Sequence, residues 1–232
     1  MTALETLLNG IVDYAGLYPP ASLSLEETCA NYAAYLHCGD AWMLNRLVLP
    51  LAKLRVGEGW RISLLVDEEP GPLPPQVETF ETKLTHRLSL PTYCEAPLAS
   101  IESGFAKIRT GGDTIPSSRQ VAEFLHQGAA RRIPFKATAG LHHPIRAVMH
   151  GFVNVFTAAV FAWHGADCEL LVDILDDEAA RDFEFHDNEM RWCGRPLTTA
   201  QIAEARREFA HSFGSCSFEE PLADLRALDL LT

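Results

Sequence analysis

Short apolar runs recur along the chain, separated by longer segments whose apolar positions repeat every three to four residues. GIVDYAGL (10–17), LNRLVLP (44–50), WRISLLVD (60–67), HRLSLP (86–91), FAKIRTG (105–111), IPFKATAG (133–140) and AHSFGSCS (210–217) are rich in aliphatic and β-branched residues and read as buried strands. Between most of them lie amphipathic segments with helix-start signals. Ser24 with Glu27, Ser117 with Gln120 and Thr198 with Gln201 each have the spacing of a capping box. After the last of these, Ile202, Ala205 and Phe209 share a face while Glu204, Arg206, Arg207 and Glu208 stay largely off it. EEPGPLPPQVE (68–78) is a proline-stiffened loop, and FEFHDNEMRWCGRPLT (183–198) reads as a hairpin with HDN at its tip.

Strands that alternate with helices pair in parallel, with the helices packed outside. Seven strands fit either an open doubly wound sheet or a (β/α) barrel. The expected fold is α/β: a single barrel-like domain over residues 1–232, irregular or incomplete, with 144–198 as a helical and hairpin insertion. AVMHGFVNVFTAAVFAW (147–163) has no formal charge and approaches the length of a membrane span, but it holds His150, Gly151 and Asn154. A buried helix is the expectation, and no membrane partner.

Composition narrows the partners. The chain has 232 residues, 47% of them hydrophobic and 22% charged, with a formal net charge of −12. That balance argues against nucleic-acid binding, which needs a basic face. A small anionic substrate stays compatible if local Lys and Arg residues override the global field. Cys29, Cys38, Cys94, Cys168, Cys193 and Cys216 show no CxxC spacing, which fits free thiols in a reducing cytoplasm. MTALETLLNG has no basic start followed by an apolar core, so no signal peptide is expected. Self-association into a homo-oligomer is left open.

Active sites of parallel α/β folds form at the carboxyl ends of the strands. The polar residues expected there are Asp13, Tyr14, Arg46, Asp67, Lys107, Arg109, Lys136, Thr138, Ser212, Ser215 and Cys216. Lys107 and Lys136 are the sharpest pair. Each follows an apolar run and precedes a small-residue turn, and alternation puts Lys107 with Arg109, and Lys136 with Thr138, on one face. A second cation nearby, plus desolvation, would lower the pKa of one lysine and free it to form a Schiff base. Asp13 or Asp67 would move protons, with His142 as an acid/base beside Lys136. Arg46, Arg109 and Thr138 would bind substrate.

The turn of SFGSCSFEEP adds Gly214, Ser215, Cys216 and Ser217, whose backbone N–H groups at a helix start could hold an anion. Cys216 there could also be an activated thiol. His142 and His143 fit the first turn of the following helix, with His150 and Asn154 further along it. Tyr14, Tyr18, Tyr32 and Tyr35 read as core and rim packing. No Walker A or G-x-G-x-x-G motif is present, and no cofactor is implied.

KIRTGG (107–112) followed by FKATAGL (135–141) resembles the paired lysine signatures of the deoxyribose-phosphate aldolase group of class I aldolases. The likeness covers residues 105–142. It implies a barrel in which Lys107 forms the imine and Lys136, on the next strand, supports it. Arg109 stands where that group has a small residue, and LHHP departs from its usual continuation. Over the whole chain, AWMLNRLVLP, FKATAGLHHP and SFGSCSFEEP resemble a set of bacterial proteins of unknown function. The expected activity is thus a Schiff-base lyase acting on a small anionic carbonyl compound. One alternative is a non-enzymatic protein that binds or scaffolds a small anion. Another is a metal-dependent hydrolase or isomerase using His142, His143 and an aspartate.

Overall fold

The computed structural model describes residues 1–86 and 88–231. In chain order the strands are β1 (Val12–Tyr14), β2 (Leu44–Pro50), β3 (Ile62–Leu65), β4 (Val77–Thr82), β5 (Thr92–Cys94), β6 (Phe105–Arg109) and β7 (Phe135–Thr138), then β8 (Phe183–Phe185), β9 (Glu189–Trp192), β10 (Arg195–Thr198) and β11 (Ala210–Ser215). The helices are α1 (Ala3–Leu8), α2 (Leu25–Tyr35), α3 (Ser118–Ala130), α4 (Phe152–Trp163), α5 (Cys168–Asp176), α6 (Thr199–Glu208) and α7 (Glu219–Ala227). Strands β1 to β7 and β11 close a parallel barrel in which β11 lies between β7 and β1. The α/β barrel is therefore complete in its strands.

Its helical coat is uneven. Helices α2 and α3 cross over from β1 to β2 and from β6 to β7, whereas among the described residues no α-helix joins β2, β3, β4, β5 and β6. The proline-rich loop after β3 belongs to this thin side. Between β7 and β11 the chain runs through α4, α5, an antiparallel sheet ordered β10-β9-β8, and α6. The expected hairpin is thus the first turn of a three-stranded meander, whose second turn is Cys193–Gly194 with both residues at positive φ.

All three expected capping boxes form, and Thr2 with Glu5 makes a fourth. The uncharged run 147–163 contains α4, which packs against α3, α5, α6 and β11 and buries eleven of its twelve residues. Among the described residues no helix is long and apolar enough to cross a membrane. His142, His143 and His150 are not on α4, because the chain makes an irregular loop over 139–150 before Gly151 caps the helix.

The strand expected at 86–91 is not found. Residues 86, 89 and 90 are bends, 88 and 91 have no regular structure, and Arg87 lies outside the described residues. Of the strands on either side, β4 escaped because its pattern is inverted. Phe80 points outward and is buried, whereas Thr79 and Glu81 turn into the barrel. Barrel interiors are usually filled by branched aliphatic residues. Here the interior carries Asp13, Ser63, Thr79, Glu81, Lys136 and Ser212, all at most 4% exposed.

The apolar core sits instead between strands and helices. Phe213 stacks on Phe152 at 5.0 Å, and Phe135 meets Phe209 at 4.9 Å and Phe124 at 5.6 Å. Burial of this kind makes Phe213→Ala cost about 3–5 kcal/mol. Packing along this outer layer fixes which side chains of β7 and β11 face inward, and so positions Lys136 and Ser212.

Candidate active site

The carboxyl ends of the strands open into a cavity of about 680 Å³. Val48 and Leu65 give it apolar walls, Tyr18 with Pro19 and Pro20 closes one side, and Glu81, Lys107 and Lys136 lie at its floor. Lys107 and Lys136 are register partners on β6 and β7. The face-sharing of Lys107 with Arg109, and of Lys136 with Thr138, is what brings all four to the cavity lining.

Lys136 is fully buried. Its Nζ donates to Asp13 Oδ2 at 2.5 Å and to Glu81 Oε1 at 2.6 Å, and lies 5.5 Å from the centre of the Tyr93 ring. The two carboxylates are themselves well supplied with donors. Ser212 Oγ donates to Asp13 Oδ2 at 2.7 Å, and the Arg46 backbone N–H donates to Oδ1 at 3.1 Å. Ser63 Oγ donates to Glu81 Oε1 at 2.8 Å while accepting from Thr79 Oγ1 at 3.0 Å. Buried charges are tolerated only when paired and hydrogen-bonded in this way.

Burial by itself would raise both carboxyl pKa values. For Asp13, the attraction of Lys136 and Arg46 with the hydrogen bonds from Lys136 and Ser212 outweighs it, and the pKa is lowered. For Glu81, Lys136 and Lys107 do the same against the opposing charge of Asp13. The Lys136 ammonium would be pushed down by burial, but Asp13 and Glu81 raise it above the usual lysine range. The expectation of a lowered lysine pKa is therefore overturned at Lys136, which is held as a cation.

Lys107 is placed differently. Its side chain is 9% exposed and lines the cavity, with Nζ 2.9 Å from Glu95 Oε2 and 3.5 Å from Glu81 Oε2. Glu95, just beyond β5, is 22% exposed, and its other oxygen lies 4.0 Å from Arg109. Glu81 thus links the lysines, one at each carboxylate oxygen. Neither Glu81 nor Glu95 was expected from the sequence. Alternation within VETFET puts Thr79 and Glu81 on one face, but it does not tell that this face is the buried interior.

Gly111 and Gly140 let the loops after β6 and β7 touch. A Cβ on Gly140 would lie 2.9 Å from Gly111 Cα and 3.0 Å from the Thr110 carbonyl oxygen, and Gly140 has φ +83°. The contact keeps the exits of the two lysine strands together.

Several expected residues fall elsewhere. Asp67 is exposed beyond β3 and does not line the cavity. Arg46 sits near the start of β2, so its guanidinium points to the opposite end of the barrel and donates to Glu78 at 2.8 Å. Gly214 and Cys216 reach the cavity, but Ser215 faces away from it. At that turn the Ser217 N–H, one of the donors expected for an anion, donates to Ser215 Oγ, and the Glu220 N–H of the helix start donates to Ser217 Oγ. Burial pushes the Cys216 thiol up, against the expected activation.

His142 lines the cavity mouth with its Nδ1 3.0 Å from Glu220 Oε2, and His143 Nδ1 lies 2.5 Å from Asp224 Oδ2. His150 bonds the Pro116 carbonyl and Arg146, so the three histidines do not converge. Among the described residues the group with metal-ligand spacing is Asp177, Asp182 and Cys193, none of which lines the cavity.

Fold and site together define an α/β barrel whose interior holds two lysines interleaved with three carboxylates beneath a cavity. No protein-family model matches the chain, and no curated protein or solved structure matches it either.

Proposed function

We propose that the protein is a Schiff-base lyase of the aldolase kind, acting on a small anionic carbonyl compound, with Lys107 as the imine-forming residue. The observation that carries this reading is the asymmetry of the two lysines. Lys107 reaches the cavity with a partly exposed carboxylate 2.9 Å from its amine, whereas Lys136 is locked between two buried ones. The resemblance of KIRTGG and FKATAGL to the deoxyribose-phosphate aldolase group supports the same assignment.

Glu95 takes a proton from the Lys107 ammonium and frees its lone pair. The amine adds to the substrate carbonyl carbon while the C=O π pair moves to oxygen, which is protonated. The carbinolamine loses water, leaving an iminium. That cation accepts the electron pair of the bond between its α and β carbons while the β-hydroxyl gives its proton to Glu95, so the departing fragment leaves as an aldehyde. The enamine left behind takes the proton back at carbon, and water hydrolyses the iminium to free Lys107. Lys136 takes no part as a base. It keeps Glu81 ionised, and the negative Glu81 stabilises the iminium as it forms. Arg109, 53% exposed at the mouth, is the cation available to the substrate's acidic group, with Thr138 beside it. Asp13 serves as the counter-charge that orients Lys136.

Borohydride trapping with glyceraldehyde, glycolaldehyde, pyruvate and glyceraldehyde 3-phosphate, read by intact mass, tests the reading. A reduced adduct with at least one of them is expected. If none forms an adduct, the imine reading fails and a non-covalent anion-binding protein becomes the better account.

A further inference from the structure

The Tyr18 phenol belongs to the cavity wall, and the mechanism above leaves it without work. Tyr18 lies in the loop after β1, which is pinned by backbone hydrogen bonds from its own N–H to Ala15 and from Ser22 to its carbonyl. It lines the cavity, yet its hydroxyl is buried with no hydrogen-bond partner among the described residues. Buried hydroxyls nearly always have a partner, and each exception calls for one. Tyr18 shares the lining of this cavity with Glu81, Lys107 and Lys136.

We infer that the Tyr18 hydroxyl is a substrate-recognition donor, giving its hydrogen bond to an uncharged oxygen of the bound compound and so selecting hydroxylated substrates over their deoxy analogues. This deepens the reading under "Proposed function", since it places a second polar contact in the same cavity. Burial, reinforced by the charge of Glu81, pushes the phenol up to about 12, so it keeps its proton and acts as a donor throughout the physiological range. A donor that is unsatisfied until substrate arrives discriminates strongly, because the analogue without the oxygen leaves it unpaired. Arg109 at the mouth and Tyr18 on the cavity wall then read two parts of a short chain: an acidic group at one, a hydroxyl or carbonyl oxygen at the other.

The test uses probes that cannot form an imine, so that it does not depend on the lysine chemistry. Glycerol 3-phosphate and n-propyl phosphate are titrated against the full chain by ligand-observed NMR, with wild type and Tyr18→Phe compared. Wild type is expected to prefer glycerol 3-phosphate by about tenfold or more, and Tyr18→Phe to lose that preference. The variant should unfold at an unchanged or slightly higher temperature, because the hydroxyl has no protein partner to lose. Equal affinity of the wild type for both probes, no binding of either, or a preference retained in Tyr18→Phe would overturn the inference. So would a fall of several degrees in the variant's melting temperature, which would mean the hydroxyl is structural. Discrimination without any borohydride adduct would leave this inference standing and remove only the imine reading.

Discussion

Lys136 and Glu81 form a 2.6 Å ion pair inside the barrel, and the second oxygen of the same carboxylate faces Lys107 across the register. One glutamate therefore couples a permanently charged lysine to the lysine that reaches the cavity. The arrangement makes stability and reactivity separable, because the two lysines do different things.

Lys136→Met removes the cation and leaves Asp13 and Glu81 as neighbouring buried carboxylates. Breaking one partner out of a buried pair costs about 3–5 kcal/mol, and urea unfolding should show a loss of that size. Adding Glu81→Gln removes one of the stranded charges and should recover part of it. A Lys136→Met protein as stable as wild type would show that the cluster does not hold the barrel together.

Glu95→Gln keeps the shape beside Lys107 but cannot accept its proton. The rate of imine trapping should fall by about 10²-fold or more, with little change in the urea midpoint because the group is partly open to solvent. An unchanged rate would mean that another base serves Lys107.

His211 makes stability depend on pH. Burial, then the charge of Arg206, lowers it to about 4 from 6.5, and its Nδ1 lies 2.8 Å from the Tyr93 hydroxyl. The unfolded chain takes up a proton below pH 6.5 that the folded chain refuses until about pH 4, so stability falls as pH drops through that window. Asp13 and Glu81 add a second loss. Their depressed values stabilise the fold above the ordinary carboxylate range, and this contribution is lost as pH falls through their folded values. Unfolding free energies measured from pH 7 to 3 should show both phases, and His211→Asn should flatten the first alone.

Gly140→Ala drives a methyl against Gly111 at a residue with φ +83°. The expected cost is about 1–3 kcal/mol, read as a lower melting temperature, accompanied by slower trapping as the β6 and β7 exits separate. A neutral substitution would show that the loop contact does not position the lysines.

Much of the fold was legible because alternation and capping are local. FAKIRTG and IPFKATAG announced both their strands and the inward faces of Lys107 and Lys136, and three capping boxes marked their helices. The thin side of the barrel was not legible. In VETFET the buried interior is polar, so the strand carrying Glu81 reads as a solvent-facing one, and HRLSLP, with its tidy alternation, drew the assignment instead. Arg46 and Asp67 were misplaced for a related reason. A strand's apolar run shows where it lies but not how far along it the barrel closes, so Arg46 proved to be at the amino end and Asp67 beyond the wall. Tyr18 passed as packing because an unpartnered hydroxyl is a property of three-dimensional surroundings.

The most direct measurement is peptide mapping of the borohydride-reduced adduct from wild type, Lys107→Met and Lys136→Met. The account predicts the added mass on Lys107, its absence in Lys107→Met, and no modification of Lys136 in any folded sample. An adduct on Lys136, or trapping that survives Lys107→Met, would contradict it.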